Sequence, residues 1–257
     1  MDPEKPLVYL ILGSPGSGRR EVLADLLDGG LAEDDRAVVL LPAAERPEEA
    51  DLRLGAVSRW QWQDGHIVAL APDGATRIFF VVEGRRDPVD QIEAFKLWFP
   101  GQGLELGRVI FVVDCTLAAA HPALHLWFDA CIHFSDVVLL NRRDGVPNKW
   151  LSDFQARYKD QCLPCLFEFV KKGRVHNPRL LLEPQALRIS HVFDAEPDWV
   201  VLNEEGEEIE ADAEDEDGAV GEEEVELVAK EDPYFVRFNG GRREKELPNL
   251  GKYLPPA

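Results

Sequence analysis

The clearest chemistry in the sequence lies in a glycine-rich run, Gly13-Ser14-Pro15-Gly16-Ser17-Gly18. Its outer glycines have the G-x-x-x-x-G spacing of a loop whose backbone N–H groups curl around a phosphate. An apolar run, Leu7 to Leu12, precedes it, and apolar residues at helical spacing follow from Glu21 to Leu27. A helix that begins behind such a loop adds partial positive charge. The order of strand, glycine loop and helix predicts a phosphate-binding loop, and the alternative is a turn that serves only the topology.

The two residues behind the last glycine are Arg19 and Arg20, where a working loop carries Lys and then Ser or Thr. The Lys reaches the β- and γ-phosphates as a compact charge, whereas arginine is a bulkier planar fork. We expect Arg19 to act as a substitute counter-charge. Arg20 has no hydroxyl to ligate magnesium, so the sequence argues against a magnesium site and predicts poor hydrolysis.

A second motif, Asn141-Arg142-Arg143-Asp144, ends another apolar run and matches the N/T-K-x-D pattern of guanine recognition, with Arg142 in place of Lys. A carboxylate at Asp144 can accept both the N1–H and the N2–H of guanine, and adenine offers no such pair. The motif therefore predicts GTP or GDP as ligand, with Asn141 and Asp144 among the binding residues. Asn and Asp are also common in turns, which is the alternative interpretation.

Between these motifs stands Glu83-Gly84-Arg85-Arg86-Asp87-Pro88, directly after the apolar run Arg77 to Val82. Together with the glycine loop, the run Val109 to Asp114 and the stretch Phe134 to Asp144, this segment resembles the CobW-like family of P-loop GTPases. The resemblance extends from about Pro6 to Val170. It rests on the order and spacing of the motifs, since no single motif is intact.

The resemblance implies a protein that binds GTP with magnesium, with Glu83 as the catalytic candidate beside the magnesium and the attacking water. Several members of the family deliver metal ions to client enzymes. The family's Cys-x-Cys-Cys metal site has no counterpart here, since no cysteine precedes Cys115. Arg85 and Arg86 either pair with phosphates or form a solvated, charge-balancing surface.

Other metal or redox chemistry finds little support. Cys162 and Cys165 form a single Cys-x-x-Cys without the two further ligands that a zinc site needs, and we interpret Cys165 as a buried strand residue. His121 and His125 stand at helical i, i+4 spacing around the start of a predicted helix. We interpret them as a surface pair in its first turn, and no metal ligand is predicted.

Short β-branched or aromatic runs alternate with helix-length segments over roughly the first 170 residues, which predicts an α/β fold with a mostly parallel, helix-flanked sheet of the P-loop NTPase type. Turns at Gln63-Asp64-Gly65 and Pro72-Asp73-Gly74-Ala75 predict a small antiparallel meander leading into the strand Arg77 to Val82. The helices expected between strands are Val89 to Phe99, Ala123 to His133 and Asn148 to Lys159.

Charge and composition divide the chain further. The formal net charge is −20, and a surface of this sign repels the phosphates of nucleic acids and of membranes, so neither is a predicted partner. Asn203 to Asp232 alone holds 16 acidic residues and one lysine. We predict a GTPase-like domain at 1–195, a disordered acidic linker at 196–232 and a docking or edge element at 233–257. No basic leader or membrane-length apolar run is visible, and four cysteines in 257 residues indicate a reducing cytoplasm.

Three functions remain open at this point. The first is a CobW-like GTP-binding protein with weak guanine-nucleotide binding and poor or absent hydrolysis. The second is a pseudo-GTPase that binds no nucleotide and serves as a scaffold for an unidentified protein client. The third is an active GTPase or metallochaperone with an unusual magnesium site, and the sequence assigns no oligomeric state.

Overall fold

The structure is a computed structural model that describes residues 5–194, 199–202, 208–209 and 226–256. The chain divides into two compact units. The first comprises Met1–Ser190 together with Glu246–Ala257, and the second comprises His191–Lys245. All of the predicted nucleotide-site residues belong to the first unit.

The first unit is built on one eight-stranded sheet with the strand order β4-β3-β2-β5-β1-β6-β7-β8. All neighbouring strands are parallel except β3 and β4. The strands are β1 (Leu7–Gly13), β2 (Ala37–Pro42), β3 (Ala56–Gln63), β4 (His66–Val68), β5 (Arg77–Val81), β6 (Glu105–Asp114), β7 (Val137–Asn141) and β8 (Leu166–Phe169).

The central strands are covered on both faces, which explains why they are continuous apolar runs and do not alternate with polar residues. Every residue of β1 is buried, and β1 pairs with β5 on one side and with β6 on the other. Leu10, for example, lies between Phe80 and Val109. The predicted mostly parallel α/β sheet is therefore confirmed.

The α-helices among the described residues are α1 (Arg19–Gly30), α2 (Pro88–Gly101), α3 (Cys115–Ala120), α4 (His125–His133), α5 (Asn148–Lys159) and, after the last strand of this sheet, α6 (Pro178–Leu181). Helix α2 begins at a typical helix-start signal. Asp87 is the N-cap and accepts a hydrogen bond from the Val89 backbone N–H (2.8 Å), and Pro88 occupies the first helical position. Its apolar face packs on the sheet, with the rings of Phe95 and Trp98 against Phe80.

The antiparallel part of the sheet differs from the predicted meander. Strands β3 and β4 form the expected hairpin, but the chain then crosses back, and β5 pairs with β2 and β1 instead of β4. The reason is burial, since the Ile78 to Val81 segment is fully buried and needs strands on both sides to satisfy its backbone. The hairpin instead forms the edge of the sheet.

The parallel strands bring several loops to one edge of the sheet, because their carboxyl ends point the same way. The loops that follow β1, β2, β5, β7 and β8 all begin at this edge. They contain the glycine loop, an acidic segment after Pro42, the Glu83 segment, the Asn141 motif and a basic segment that starts at Val170.

The tail of the first unit packs on that unit. Leu250 is buried, the ring of Tyr253 lies 5.1 Å from that of His121, and the Pro255 carbonyl accepts a hydrogen bond from the Arg85 guanidinium. The predicted element 233–257 is thus divided, since its last part belongs to the first unit and its beginning to the second. Whether any of it docks to a partner stays a prediction.

The second unit contains a small antiparallel sheet, β10-β9-β11, formed by β9 (Trp199–Leu202), β10 (Glu208–Ile209) and β11 (Glu226–Ala229). The predicted linker at 196–232 includes these strands. Its remaining acidic residues up to 225 lie outside the described residues, so the predicted disorder stays a prediction. Within the described ranges, none of the helices has the length and apolar character needed to cross a membrane.

Candidate functional site

The glycine loop between β1 and α1 has the geometry that its spacing predicts. Gly18 caps α1 in a left-handed conformation (φ 85°), where its carbonyl accepts from the Val22 N–H (3.0 Å). A side chain at Gly18 would also collide with Asn141 Nδ2, so the position requires glycine for two reasons. The loop closes through a hydrogen bond from the Ser17 N–H to the Ser14 carbonyl (3.2 Å).

Two hydroxyl groups in this loop have no protein partner. Ser14 and Ser17 are buried, and their Oγ atoms make no hydrogen bond within the part of the chain that the structure describes. Buried polar atoms without a partner are costly and call for an explanation. An anion held by the loop would satisfy both hydroxyls, so the loop fits a phosphate group.

Arg19, the first residue behind the loop, is buried, with only 4% of its side chain exposed. Its guanidinium donates to the Val82 carbonyl (2.6 Å) and to Glu45 Oε1 (2.7 Å). The side chain thus reaches from the glycine loop to the ends of β5 and β2. Its charge is already paired with the Glu45 carboxylate.

Arg20 is buried even more completely, with 1% of its side chain exposed. One guanidinium nitrogen donates to both carboxylate oxygens of Asp51 (2.9 Å each) and to the Arg46 carbonyl (3.0 Å). The other donates to Glu45 Oε2 (2.8 Å). Such a charge-assisted fork is strong and geometrically specific, so Arg20 is fixed in place.

Glu45 is the centre of this arrangement, and sequence reasoning missed it. Its carboxylate pairs with Arg19 and Arg20 and also accepts the Gly84 backbone N–H (2.8 Å). Burial alone would raise the pKa of Glu45, but Arg19, the Gly84 N–H and Arg20 together hold it below its ordinary value. We call Arg19, Arg20, Glu45 and Asp51 the arginine–carboxylate cluster.

The acidic segment after β2 is held in place by its own turn. Glu48 and Asp51 form a reciprocal capping box around the short 3-10 helix Glu49–Arg53, and Leu54 behind it is buried in the core. Glu45 has no local sequence signature, because the need for its carboxylate arises only from the burial of Arg19 and Arg20 in the folded chain.

Glu83 lies directly behind β5 and close to the glycine loop. With Pro15, Glu45 and Arg85, it lines a cavity of about 230 Å³. Its carboxylate pairs with Arg86 (3.2 Å), and its backbone is held by the Gln91 side chain. Glu83 is therefore adjacent to the arginine–carboxylate cluster but is not one of its members.

The Asn141 motif is joined to the glycine loop. Asn141 Nδ2 donates to the Ser17 carbonyl (2.8 Å), and Arg142 donates to the Gly16 carbonyl (2.9 Å) and to Glu21 (2.8 Å). These bonds bring the two predicted half-sites together across more than 120 residues of sequence. Asp144, in contrast, is exposed and makes no hydrogen bond or ion pair within the described chain.

A cleft of about 770 Å³ lies beside these residues, between the Asn141 motif and the segment Val170 to Arg174. Its acidic lining residues are Glu21, Asp25 and Asp144. Cationic residues outnumber them and are Arg53, Arg142, Arg143, Lys171, Lys172 and Arg174. A chain with a net charge of −20 therefore has a cleft with a positive lining, which suits an anionic ligand.

Within the described residues, no group of three or more His, Cys, Asp or Glu side chains is arranged to hold a transition-metal ion. Magnesium at a nucleotide needs fewer protein ligands, since phosphates and waters supply the others, so its fit depends on the residue behind the glycine loop. At position 20, where a hydroxyl would ligate magnesium, stands a guanidinium that Asp51 already chelates. The residues present therefore do not fit magnesium.

The remaining cysteine and histidine interpretations have separate outcomes. All four cysteines are free thiols, and burial raises the pKa of Cys165 to about 11, in agreement with a packing role. His121 directly precedes the 3-10 turn Pro122–Leu124, and His125 begins α4 behind that turn, so the two histidines flank a helical start at Pro122. His125 is exposed and His121 is half-buried. Their interpretation as a surface pair stays a prediction.

Comparison with known proteins gives distant similarities. No family model matches the chain, and no curated protein matches it significantly. Among solved structures, it is similar to the Zn(II)-bound YjiA GTPase from E. coli (14% identity, 78% of this chain, 72% of that chain, TM-score 0.44). It is also similar to a Zn(II)-bound triple mutant of YjiA GTPase, with 16% identity and a TM-score of 0.44 over 78% of this chain and 72% of that chain.

A third similar structure is the cell division protein FtsY from Thermotoga maritima (16% identity, 76% of this chain, 70% of that chain, TM-score 0.40). Two of these three similar structures are thus of a GTPase. The function must be argued from the site itself.

Proposed function

We propose that this chain binds a guanine nucleotide in the cleft beside the glycine loop and hydrolyses it slowly or not at all. One observation carries the proposal. The glycine loop, with its two unpartnered hydroxyls, is joined by Asn141 and Arg142 to a positively lined cleft whose wall holds the free carboxylate of Asp144.

The phosphate end of the proposed site is the loop Gly13 to Gly18. Its backbone N–H groups, the Ser14 and Ser17 hydroxyls and the start of α1 all favour an anion. The base end is Asp144, which can accept two N–H groups from guanine. An adenine base would leave that carboxylate unpaired, so Asp144 is the proposed source of specificity.

The slow hydrolysis follows from the arginine–carboxylate cluster. Phosphoryl transfer needs positive charge, usually with magnesium, at the terminal phosphate. Here Arg19 and Arg20 are neutralised by Glu45 and Asp51, and the residues present do not fit magnesium. Glu83 is itself an anion and pairs with Arg86, so it does not supply the positive charge that is missing at the terminal phosphate.

The experiment is a calorimetric titration of the purified full chain with GDP, GTP and ADP, each with magnesium and with EDTA. We expect GDP to bind and ADP to bind at least about tenfold more weakly, a difference of about 1.4 kcal/mol. Asp144→Ala should abolish the preference for guanine. Asp160→Ala, an exposed aspartate at the end of α5 and outside the cleft, is the matched control.

A second candidate function is a scaffold that binds no nucleotide. It is favoured by the arginine–carboxylate cluster, whose charges are paired without any ligand. In this case an unidentified protein client would be bound in the reducing cytoplasm, the setting that the four cysteines indicate. The absence of any heat or thermal shift with millimolar GDP would favour the scaffold over the nucleotide-binding protein.

A further inference from the structure

Three donors from two parts of the first unit converge on the Glu45 carboxylate. Arg19 and Arg20, the first two residues of α1, donate to it at 2.7 Å and 2.8 Å, and the Gly84 N–H behind β5 donates at 2.8 Å. Its side chain is only 14% exposed. Both carboxylate oxygens are therefore used, and the anion is well shielded from water.

This set of donors is suited to a terminal phosphate. Arg19 holds the chain position from which a P-loop cation reaches the β- and γ-phosphates of a nucleotide. The Gly84 N–H approaches from the neighbouring strand, and the space around it is tight. A Cβ at Gly84 would lie 2.7 Å from Arg19 and from Pro15, so these groups are in direct contact.

The charges in and around the cluster balance. Arg19 and Arg20 face the carboxylates of Glu45 and Asp51 at 2.7 to 2.9 Å. One further carboxylate, Glu48, lies 3.6 Å from Arg20, and one further guanidinium, Arg59, lies 3.6 Å from Asp51. A terminal phosphate arriving here would meet the Glu45 carboxylate, which repels it. To displace that carboxylate it would have to separate two buried ion pairs, and separating such pairs is costly.

We infer that Glu45 is a specificity-determining residue, an internal anion that occupies the place of a terminal phosphate beside the glycine loop and makes the proposed nucleotide site select guanosine diphosphate over guanosine triphosphate. The inference rests on the proposed nucleotide binding. The Glu45 carboxylate supplies one negative charge to Arg19 and to Gly84, and the glycine loop remains available for the phosphates of a diphosphate.

The test is a calorimetric titration with GDP and GTP of the full chain, of Glu45→Gln and of Glu49→Gln. Glutamine has the same shape as glutamate but no charge. Glu49 lies in the same acidic segment, is exposed and has no ion pair within the described residues, so it is a matched control for loss of one charge.

We expect the unmodified chain to bind GDP at least about tenfold more tightly than GTP. Glu45→Gln should tighten GTP binding by about tenfold or more and change GDP binding by less than about threefold. In Glu49→Gln, the ratio of the GDP affinity to the GTP affinity should equal that of the unmodified chain. Circular dichroism of each variant at the titration temperature shows whether it is folded.

The failures are distinguishable. If the unmodified chain binds GDP and GTP within about threefold of each other, the inference about Glu45 is overturned while nucleotide binding stands, and this measurement needs no variant. An unchanged ratio in a folded Glu45→Gln chain overturns it as well. If the unmodified chain binds neither nucleotide, the proposed function fails, and the inference fails with it.

Discussion

Replacing Glu45 by glutamine should destabilise the first unit strongly at neutral pH. The change leaves two guanidinium groups, 4% and 1% exposed, without their shared carboxylate. Removing one partner of a buried ion pair costs about 3–5 kcal/mol. Because the glutamine oxygen still accepts the Gly84 N–H, we expect the lower end, about 3 kcal/mol, which corresponds to a fall of about 6–12 °C in Tm for a unit of this size.

The same reasoning fixes the pH dependence. The pKa of folded Glu45 lies below its ordinary value of about 4.3, so its stabilisation is complete above that value and is lost as the pH falls through the lower, folded pKa. The difference in unfolding free energy between the unmodified chain and Glu45→Gln should therefore be full at pH 7. It should shrink at acid pH, as the pH falls through the lowered pKa of folded Glu45 and the carboxyl becomes uncharged like the amide.

The assay is urea denaturation followed by tryptophan fluorescence and circular dichroism at both pH values, with Glu49→Gln as control. The free energy of unfolding of the control should stay within about 0.5 kcal/mol of that of the unmodified chain, since Glu49 is exposed. The reasoning is refuted if the free energy of unfolding of Glu45→Gln also stays within about 0.5 kcal/mol of that of the unmodified chain at pH 7. A difference that persists undiminished at low pH would show that charge is not its cause.

Three further outcomes are expected. In a single-turnover assay, the purified chain should release phosphate from GTP no faster than a few turnovers per hour, and rapid magnesium-dependent release would show that another group supplies the missing ligand. The double variant Arg19→Lys, Arg20→Thr restores a hydroxyl next to the freed Asp51 carboxylate, so its nucleotide affinity should differ by about tenfold or more between magnesium and EDTA, unlike that of the unmodified chain. Leu250→Ala should lower the stability of the first unit by about 2–5 kcal/mol in a thermal or urea melt, because Leu250 is 2% exposed, and a neutral effect would mean that the tail does not contribute to this unit.

Much of the fold was predictable because its signals are local. The buried strands are short apolar runs, and Gly13 to Gly18 must form a tight loop because few other residues adopt its backbone conformations. Helix α2 begins at the Asp87-Pro88 signal, and helix α5 has the predicted bounds. The pairing of β5 was not predictable in this way, since a turn signal predicts a hairpin but does not say whether the next strand stays beside it.

The site was predictable only in part. Both of its motifs could be recognised from spacing, and the structure joins them through Asn141 and Ser17. Glu45 has no local signature, because a lone glutamate in a polar loop looks like any solvated side chain. Its importance depends on the burial of Arg19 and Arg20, which the sequence does not state.

The sequence by itself therefore determined the strands, the glycine loop and the chemical identity of its two unusual arginines. These are properties of neighbouring residues, set by backbone conformation and by the periodicity of apolar side chains. Only the tertiary structure decided what the arginines do. The parallel order of β2, β5 and β1 brings the loops behind them to one edge, and burial there requires each guanidinium to find a carboxylate. The loop behind β2 supplies Glu45 and Asp51, so the charges are settled by contacts between residues 25 and 31 positions apart.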